Sequence, residues 1–169
     1  MARPGSAYRN LISWWIIPVI CFLGAEASVA APEKLPLPRF ASIRSNKVNV
    51  HVGPGKGYPI EWTYVRQGLP IEIVAEFDTW RQIKDSEGDI SWVHKSLLSG
   101  KRTAVIKERR RKLRNKPTKE ARIVAYLEPG VIVKLKKCEK NWCQLEVKNY
   151  SGWMQKKALW GVYEHEEKV

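Results

Sequence analysis

The sequence, 169 residues long, is poor in the groups that most chemistry uses: it has three cysteines and three histidines. His51, His94 and His165 show no ligand spacing for a metal. The acidic residues are scattered, without the paired carboxylates that glycoside hydrolysis needs. A hydrolase requires a nucleophile with its base, two convergent carboxylates or a metal, and no such set is visible. The expectation is a binding protein, not an enzyme, working without a cofactor. A long apolar run is also missing. The longest, Leu11 to Leu23, covers thirteen residues and contains Pro18, well short of the roughly twenty that cross a bilayer.

That run has Arg3 and Arg9 ahead of it and Gly24-Ala-Glu-Ala-Ser-Val-Ala-Ala behind it, the order of a secretory signal. Residues 1–30 are therefore expected to be removed, after Ala27 or Ala30, leaving no stable transmembrane anchor; an uncleaved anchor is the alternative. Cys21 lies inside the run without small residues before it, which argues against lipid modification. The product would be periplasmic or secreted. Residues 31–39, with Pro32, Pro36 and Pro38, read as an extended tether, the alternative being a proline-rich ligand. Beyond the leader only Cys138 and Cys143 remain. In an oxidising compartment the natural reading is a disulfide; a half-built metal site is the other reading, with no second cysteine cluster to complete it. Closing so short a loop is worth only about 2 kcal/mol, which still matters in a module of roughly 60 residues that buries little apolar surface alone.

What is abundant is internal repetition. Gly68, Trp80 and Trp92 recur as Gly130, Trp142 and Trp153, and the flanking text corresponds as well: Gln67-Gly-Leu-Pro-Ile-Glu-Ile with Pro129-Gly-Val-Ile-Val-Lys-Leu, and Ser91-Trp-Val-His-Lys with Gly152-Trp-Met-Gln-Lys. Two copies of one unit make a tandem module. Apolar residues alternate within each copy: Ile71, Ile73, Ala75 and Phe77 are expected on one face, as are Val131, Val133 and Leu135. That period of two marks half-buried strands. In the first copy strands are expected at 48–52, 60–65, 71–77, 80–84 and 90–94. In the second they are expected at 112–114, 123–127, 131–138, 142–148 and 151–155, with helix confined to a turn near Lys95 or Lys156. About five short strands per copy, separated by turn residues, imply an all-β chain of two small barrels. In this register Cys138 and Cys143 face each other across a hairpin. Gly68 and Gly130 precede a strand, where positive φ favours glycine. Trp80 and Trp142, beside a turn, suit either a core or a ligand contact.

Asn49-Val-His-Val-Gly-Pro-Gly, Tyr58-Pro-Ile-Glu-Trp, Phe77-Asp-Thr-Trp-Arg and Trp92-Val-His in the first copy resemble a bacterial Src homology 3 domain. Cys138-x-x-x-Trp-Cys, Gly152-Trp-Met and Leu159-Trp-Gly-Val-Tyr in the second are similar to its partner in exported Gram-negative proteins that carry two such domains. The resemblance implies two SH3-like barrels, at 40–104 and 105–163 with a short tail at 164–169, and a cell-envelope location. It also implies binding of cell-wall peptide or the targeting of a hydrolase. The second copy departs from the pattern at Lys112-Leu-Arg-Asn-Lys-Pro, where an Asn-Val-Arg-x-Gly-Pro run is usual.

Positive charge collects at that departure. From Ile43 to Gly100 seven Lys/Arg face seven Asp/Glu, whereas Lys101 to Val169 has nineteen against eight. Lys107, Arg109, Arg110, Arg111, Lys112 and Arg114 form a candidate anion-binding patch, with a solvated face as the plainer reading. Outside the cytoplasm such a patch meets wall carboxylates, anionic lipid headgroups or acidic proteins; no base-stacking motif accompanies it, so nucleic acid is not expected. In the first copy Tyr58, Trp62, Tyr64 and Trp80 are expected to form an aromatic groove for an extended peptide. Together these imply a non-catalytic envelope module recognising peptidoglycan or an envelope anion. The alternative is a periplasmic adaptor that binds another exported protein through the aromatic groove and the basic face.

Overall fold

The computed structural model describes Met1 and residues 35–167. The leader and most of the tether lie outside the described residues, as does the end of the tail. By its contacts the chain divides between Lys34 and Leu35, and both sheets belong to the unit that starts at Leu35.

The fold is all-β. Strands β1 (Arg39–Ile43), β2 (Val48–His51), β3 (Ile60–Tyr64), β4 (Pro70–Phe77), β5 (Trp80–Lys84), β6 (Ile90–His94) and β7 (Leu98–Ser99) form one antiparallel sheet in the order β3-β2-β6-β5-β4-β1-β7. Strands β8 (Thr103–Ile106), β9 (Arg111–Arg114), β10 (Ile123–Leu127), β11 (Ile132–Glu139), β12 (Trp142–Val147), β13 (Tyr150–Gln155) and β14 (Leu159–Trp160) form the second, in the matching order β10-β9-β13-β12-β11-β8-β14. Single 3₁₀ turns at Lys95–Leu97 and Lys156–Ala158 are the only helical elements among the described residues.

Each copy thus has seven strands instead of five. The additional ones are β1 and β8, with their short partners β7 and β14. Four of the five residues of β1 and all four of β8 are buried, so neither shows the alternation that betrays a half-buried strand. The reason is that both their faces are covered. Ala41 and Ile43 enter the first core while Phe40 meets Trp160 and Tyr163 of the second copy; Ala104 and Ile106 enter the second core while Thr103 reaches back to Gly68. Because β8 begins at Thr103, the second sheet starts two residues before the boundary expected at 104/105, and β1 claims Arg39 from the tether.

The predicted inward face holds at Ile71 and Ile73, although Glu72 between them is buried as well, and burial alternates at Val133 and Leu135. It fails at Phe77, which is 61% exposed. The register shifts between Ile73 and Ala75, and at the equivalent place between Leu135 and Lys137. Such a bulge bends the strand and re-aims the side chains beyond it. Each sheet encloses its own core, Val50, Ile71, Ile83 and Val93 in the first and Leu113, Val133, Leu145 and Met154 in the second. Each fully buried Val, Leu or Ile contributes roughly 1.5–3 kcal/mol. Cys138 and Cys143 are register partners and are disulfide-bonded, both inside the second core.

The two barrels are fastened together at several points. Gly68 and Gly130, at φ 78° and 75°, turn their carbonyls across the junction: Thr103 Oγ1 donates to Gly68 O at 2.7 Å and Arg66 Nη2 to Gly130 O at 2.6 Å. Phe40 packs edge-on against Trp160, with centroids 5.4 Å apart, and against Tyr163 at 4.6 Å. After β14 the chain is held by Arg102, which pairs with Glu166, and by buried Lys156, whose Nζ donates to the carbonyls of Glu164 at 2.9 Å and Glu166 at 2.6 Å.

Candidate functional site

The side chains of cross-strand partners share a face, and this sorts the four aromatics expected to form a groove. Trp62 is opposite Val50 and Tyr64 opposite Val48, both fully buried, so both rings turn inward and pack on the first core. Their centroids are 6.1 Å apart at right angles. The Tyr64 hydroxyl donates to Asp85 Oδ2 at 3.0 Å, and Asp85 Oδ1 accepts the N–H groups of Glu87, Gly88 and Asp89. Burial, with Asp85 adding to it, pushes the Tyr64 phenol well above its ordinary range. Tyr64 thus anchors a turn. Tyr58 is exposed and its ring lies over Gly53 and Gly55, where a Cβ would come within 2.4 Å and 3.3 Å of it.

Trp80 belongs to the opposite face. It is the register partner of His94, and its ring meets His94 edge-on at 5.7 Å and His51 at 5.2 Å. These three, with Lys47, Asn49 and Lys56, line a cleft of about 450 Å³. The four expected groove residues therefore lie apart, Trp62 and Tyr64 on one face of the sheet, Trp80 on the other and Tyr58 in the loop before β3, and only Trp80 lines this cleft. In the sequence the histidines read as plain strand residues; the signal that finds them is the pairing of His51 with Trp92 and of Trp80 with His94.

Hydrogen bonding fixes how each neutral imidazole presents itself. His51 Nδ1 lies 2.8 Å from the Tyr58 carbonyl, which can only accept, so Nδ1 carries the proton and Nε2 is an acceptor. His94 Nδ1 lies 2.7 Å from Ser96 Oγ and accepts the Ser96 N–H at 3.3 Å; in the tautomer that accepts both, the proton is on Nε2, a donor. The two imidazoles that meet Trp80 thus differ in polarity, His51 with an acceptor at Nε2 and His94 with a donor.

The second copy repeats the cleft with different chemistry. Trp142 pairs with Gln155 as Trp80 does with His94, and Arg114 pairs with Trp153 as His51 does with Trp92. A space of about 580 Å³ there is lined by Trp142, Gln155, Lys119, Glu120 and their neighbours. Arg114 Nη1 is engaged by the Ala121 carbonyl at 2.5 Å.

The expected basic patch is only partly an open cationic surface. Arg109 and Lys112 are exposed and Lys107 half-buried. Arg110 pairs with Glu128 at 3.0 Å and lies 4.7 Å over Tyr126. Arg111 is 3.8 Å from Glu108 and turns inward, its Nε buried without a hydrogen-bond partner among the described residues. A second cationic feature, unforeseen from sequence, is the groove between the barrels, about 1050 Å³ and lined by Arg44, Arg66, Lys101, Lys134, Lys136 and Lys148 among others. These cations come from both copies and are far apart in sequence. Among the described residues no group of three or more His, Cys, Asp or Glu is placed to hold a metal ion, and no helix is long and apolar enough to cross a membrane.

The family model described as a bacterial SH3 domain matches this chain twice, over residues 44–100 and 107–161. No curated protein matches it. Among solved structures it is similar to NlpC1 from Trichomonas vaginalis, at 12% identity over 75% of this chain and 47% of that one with a TM-score of 0.32. It is also similar to NlpC2 from the same organism, at 12% identity over 73% and 48% with a TM-score of 0.36. The chain spans about half the length of each.

Proposed function

The chain belongs to the bacterial SH3 domain family, and we propose that it is a non-catalytic binding module of the cell envelope that holds a short peptidoglycan peptide in the cleft at Trp80. The observation that carries this reading is the complementary pair of histidines beside one indole. A peptide unit presents one N–H and one C=O; His51 Nε2 is an acceptor for the first and His94 Nε2 a donor for the second, while Trp80, itself 8% exposed, is the rigid support against which both imidazoles rest. Lys47 and Lys56 at the rim supply charge for the carboxylates that wall peptides carry. On this reading the protein acts outside the cytoplasm, exported by the leader at 1–30, and binds as it stands without a metal or cofactor.

Co-sedimentation with purified peptidoglycan sacculi across a salt series tests the proposal. Pelleting that survives high salt and is reduced at least about fivefold by His51→Ala with His94→Ala, roughly the loss of two neutral hydrogen bonds, is the expected result. Trp80→Phe should retain part of it. Pelleting that disappears as salt rises and ignores the histidines would assign retention to surface charge instead, and the wall-peptide reading would be abandoned.

A further inference from the structure

We propose that the groove between the two barrels is a second binding site, one that takes an extended acidic peptide segment of a partner protein. It shares no lining residue with the cleft at Trp80, so it neither needs nor supports the wall-peptide reading.

The first argument is uncompensated charge. Glu146 is the one acidic residue of the lining among the described residues, and it is already engaged by Lys136 at 3.0 Å and Lys134 at 3.9 Å. Arg102 is matched to Glu166. With those pairs set aside, the charges of Arg44, Arg66, Lys101, Lys148 and one further lysine have no carboxylate to balance them among the described lining residues. Like charges gathered along a concave wall raise the local potential and draw in counter-charge.

The second argument is order. Arg44 Nε donates to the Leu98 carbonyl at 3.0 Å and Arg66 Nη2 to the Gly130 carbonyl at 2.6 Å. Each guanidinium is held by a neutral acceptor and keeps its full charge and its remaining N–H donors. A ligand carboxylate therefore meets cations whose rotamer freedom is already spent.

The third argument is shape. Val131, Ile132 and Val147 are half-buried in the lining, so the groove combines an apolar floor with a cationic rim. An extended peptide can lay alternate apolar side chains on such a floor and turn its carboxylates to the rim. A bilayer surface cannot follow a concave cleft between two barrels. Single-stranded nucleic acid would want stacking aromatics, and the lining has none among the described residues.

Fluorescence anisotropy with a dye-labelled octaglutamate, titrated with the full chain at fixed ionic strength, is the test. Saturable binding should fall about tenfold when the exposed Lys101, Lys134 and Lys148 are changed together to Gln, the sum of three modest charge contacts. Lys107→Gln with Lys112→Gln, outside the groove, should leave it within about twofold, and His51→Ala with His94→Ala should not alter it. Any of three results would overturn the proposal: no saturable binding, equal loss from the two lysine sets, or displacement of the peptide by inorganic phosphate at equal concentration. Vesicles containing phosphatidylglycerol serve as the other arm. Chain captured by vesicles but not by peptide would make the groove a lipid site and overturn the proposal as well. Thermal melting of each variant shows that the fold is retained.

Discussion

The Tyr163 hydroxyl donates a 2.9 Å hydrogen bond to Glu72 Oε1, joining the segment after the last strand of the second barrel to the fourth strand of the first. Glu72 is 6% exposed and its other oxygen receives Lys84 Nζ at 2.5 Å; the same lysine lies 5.8 Å over the Trp160 ring. A buried carboxylate is tolerable only when its lone pairs are filled. The contact links barrel to barrel through a buried carboxylate whose two oxygens are met by one group from each barrel, Lys84 and Tyr163.

Removing the Tyr163 hydroxyl should therefore act on the whole molecule. A hydrogen bond to a charged group is worth about 1.5–3 kcal/mol, so Tyr163→Phe is expected to lower unfolding stability by about that much in urea titration. Glu72→Ala should cost more, because Lys84 and Tyr163 both lose their partner. A Tyr163→Phe midpoint equal to that of the parent would show that the bond contributes nothing.

The same tyrosine sets a limit at alkaline pH. Burial, reinforced by Glu72, raises the Tyr163 phenol well above its ordinary range, and burial does the same to Tyr64. In the unfolded chain a phenol ionises near about pH 10. Stability from both residues is thus fully present below that pH and drains away above it, because the unfolded state releases its protons first. Melting temperature should fall steeply above about pH 10, and less steeply in Tyr163→Phe with Tyr64→Phe; equal slopes would count against the assignment. Glu146 acts in the opposite sense: its hydrogen bond to Lys136, with the charges of Lys136 and Lys134, lowers its pKa, so its small contribution is present at neutral pH and lost on acidification.

Cys138→Ser should lower stability by about 2 kcal/mol, the entropy of so short a loop. The buried position of both sulfurs places the loss in the second core. Cleft binding in the first copy should survive. Melting curves with and without reductant separate the parent from the variant, and a parent indifferent to reductant would contradict the expectation.

Gly161 ties the junction sterically. It has φ 108°, and a Cβ there would come within 2.5 Å of the Thr103 carbonyl and 3.1 Å of Pro70 Cβ. Gly161→Ala should cost at least about 2 kcal/mol from strain and clash together, read by urea titration. Full stability in this variant would mean the segment shifts freely.

The basic run should separate into two classes. Arg109→Gln with Lys112→Gln, both exposed, should flatten the salt dependence of any retention on an anionic surface and leave the melting temperature unchanged. Arg111→Gln and Arg114→Gln should lower it, since Arg111 is turned inward and Arg114 holds the Ala121 carbonyl. Equal melting of all three variants would return the run to one solvated face.

Legibility divides along the same physical lines. The alternation of Val133 with Leu135 is readable because the face between them is wet, and that of Ile71 with Ile73 because the residue between them is the charged Glu72, although packing buries it. The strands at Arg39–Ile43 and Thr103–Ile106 are not, because both of their faces are covered and periodicity disappears. The disulfide follows from two cysteines in a hairpin register. The aromatic groove does not assemble as expected: Trp62 and Tyr64 occupy the core face while Trp80 occupies the other, a parity set by register with Val50 and His94.

By itself, then, the sequence determined what is local and periodic: an all-β tandem repeat, its turns at Gly68 and Gly130, and the cysteine pair. Tertiary structure alone decided which side chains meet. His51 and His94 come together at Trp80 through strand pairing across more than forty residues. Arg44, Lys101 and Lys148 share a groove only because the barrels are docked. Such juxtapositions depend on register and on packing between copies, and these are relations between distant segments that no local pattern of residues encodes.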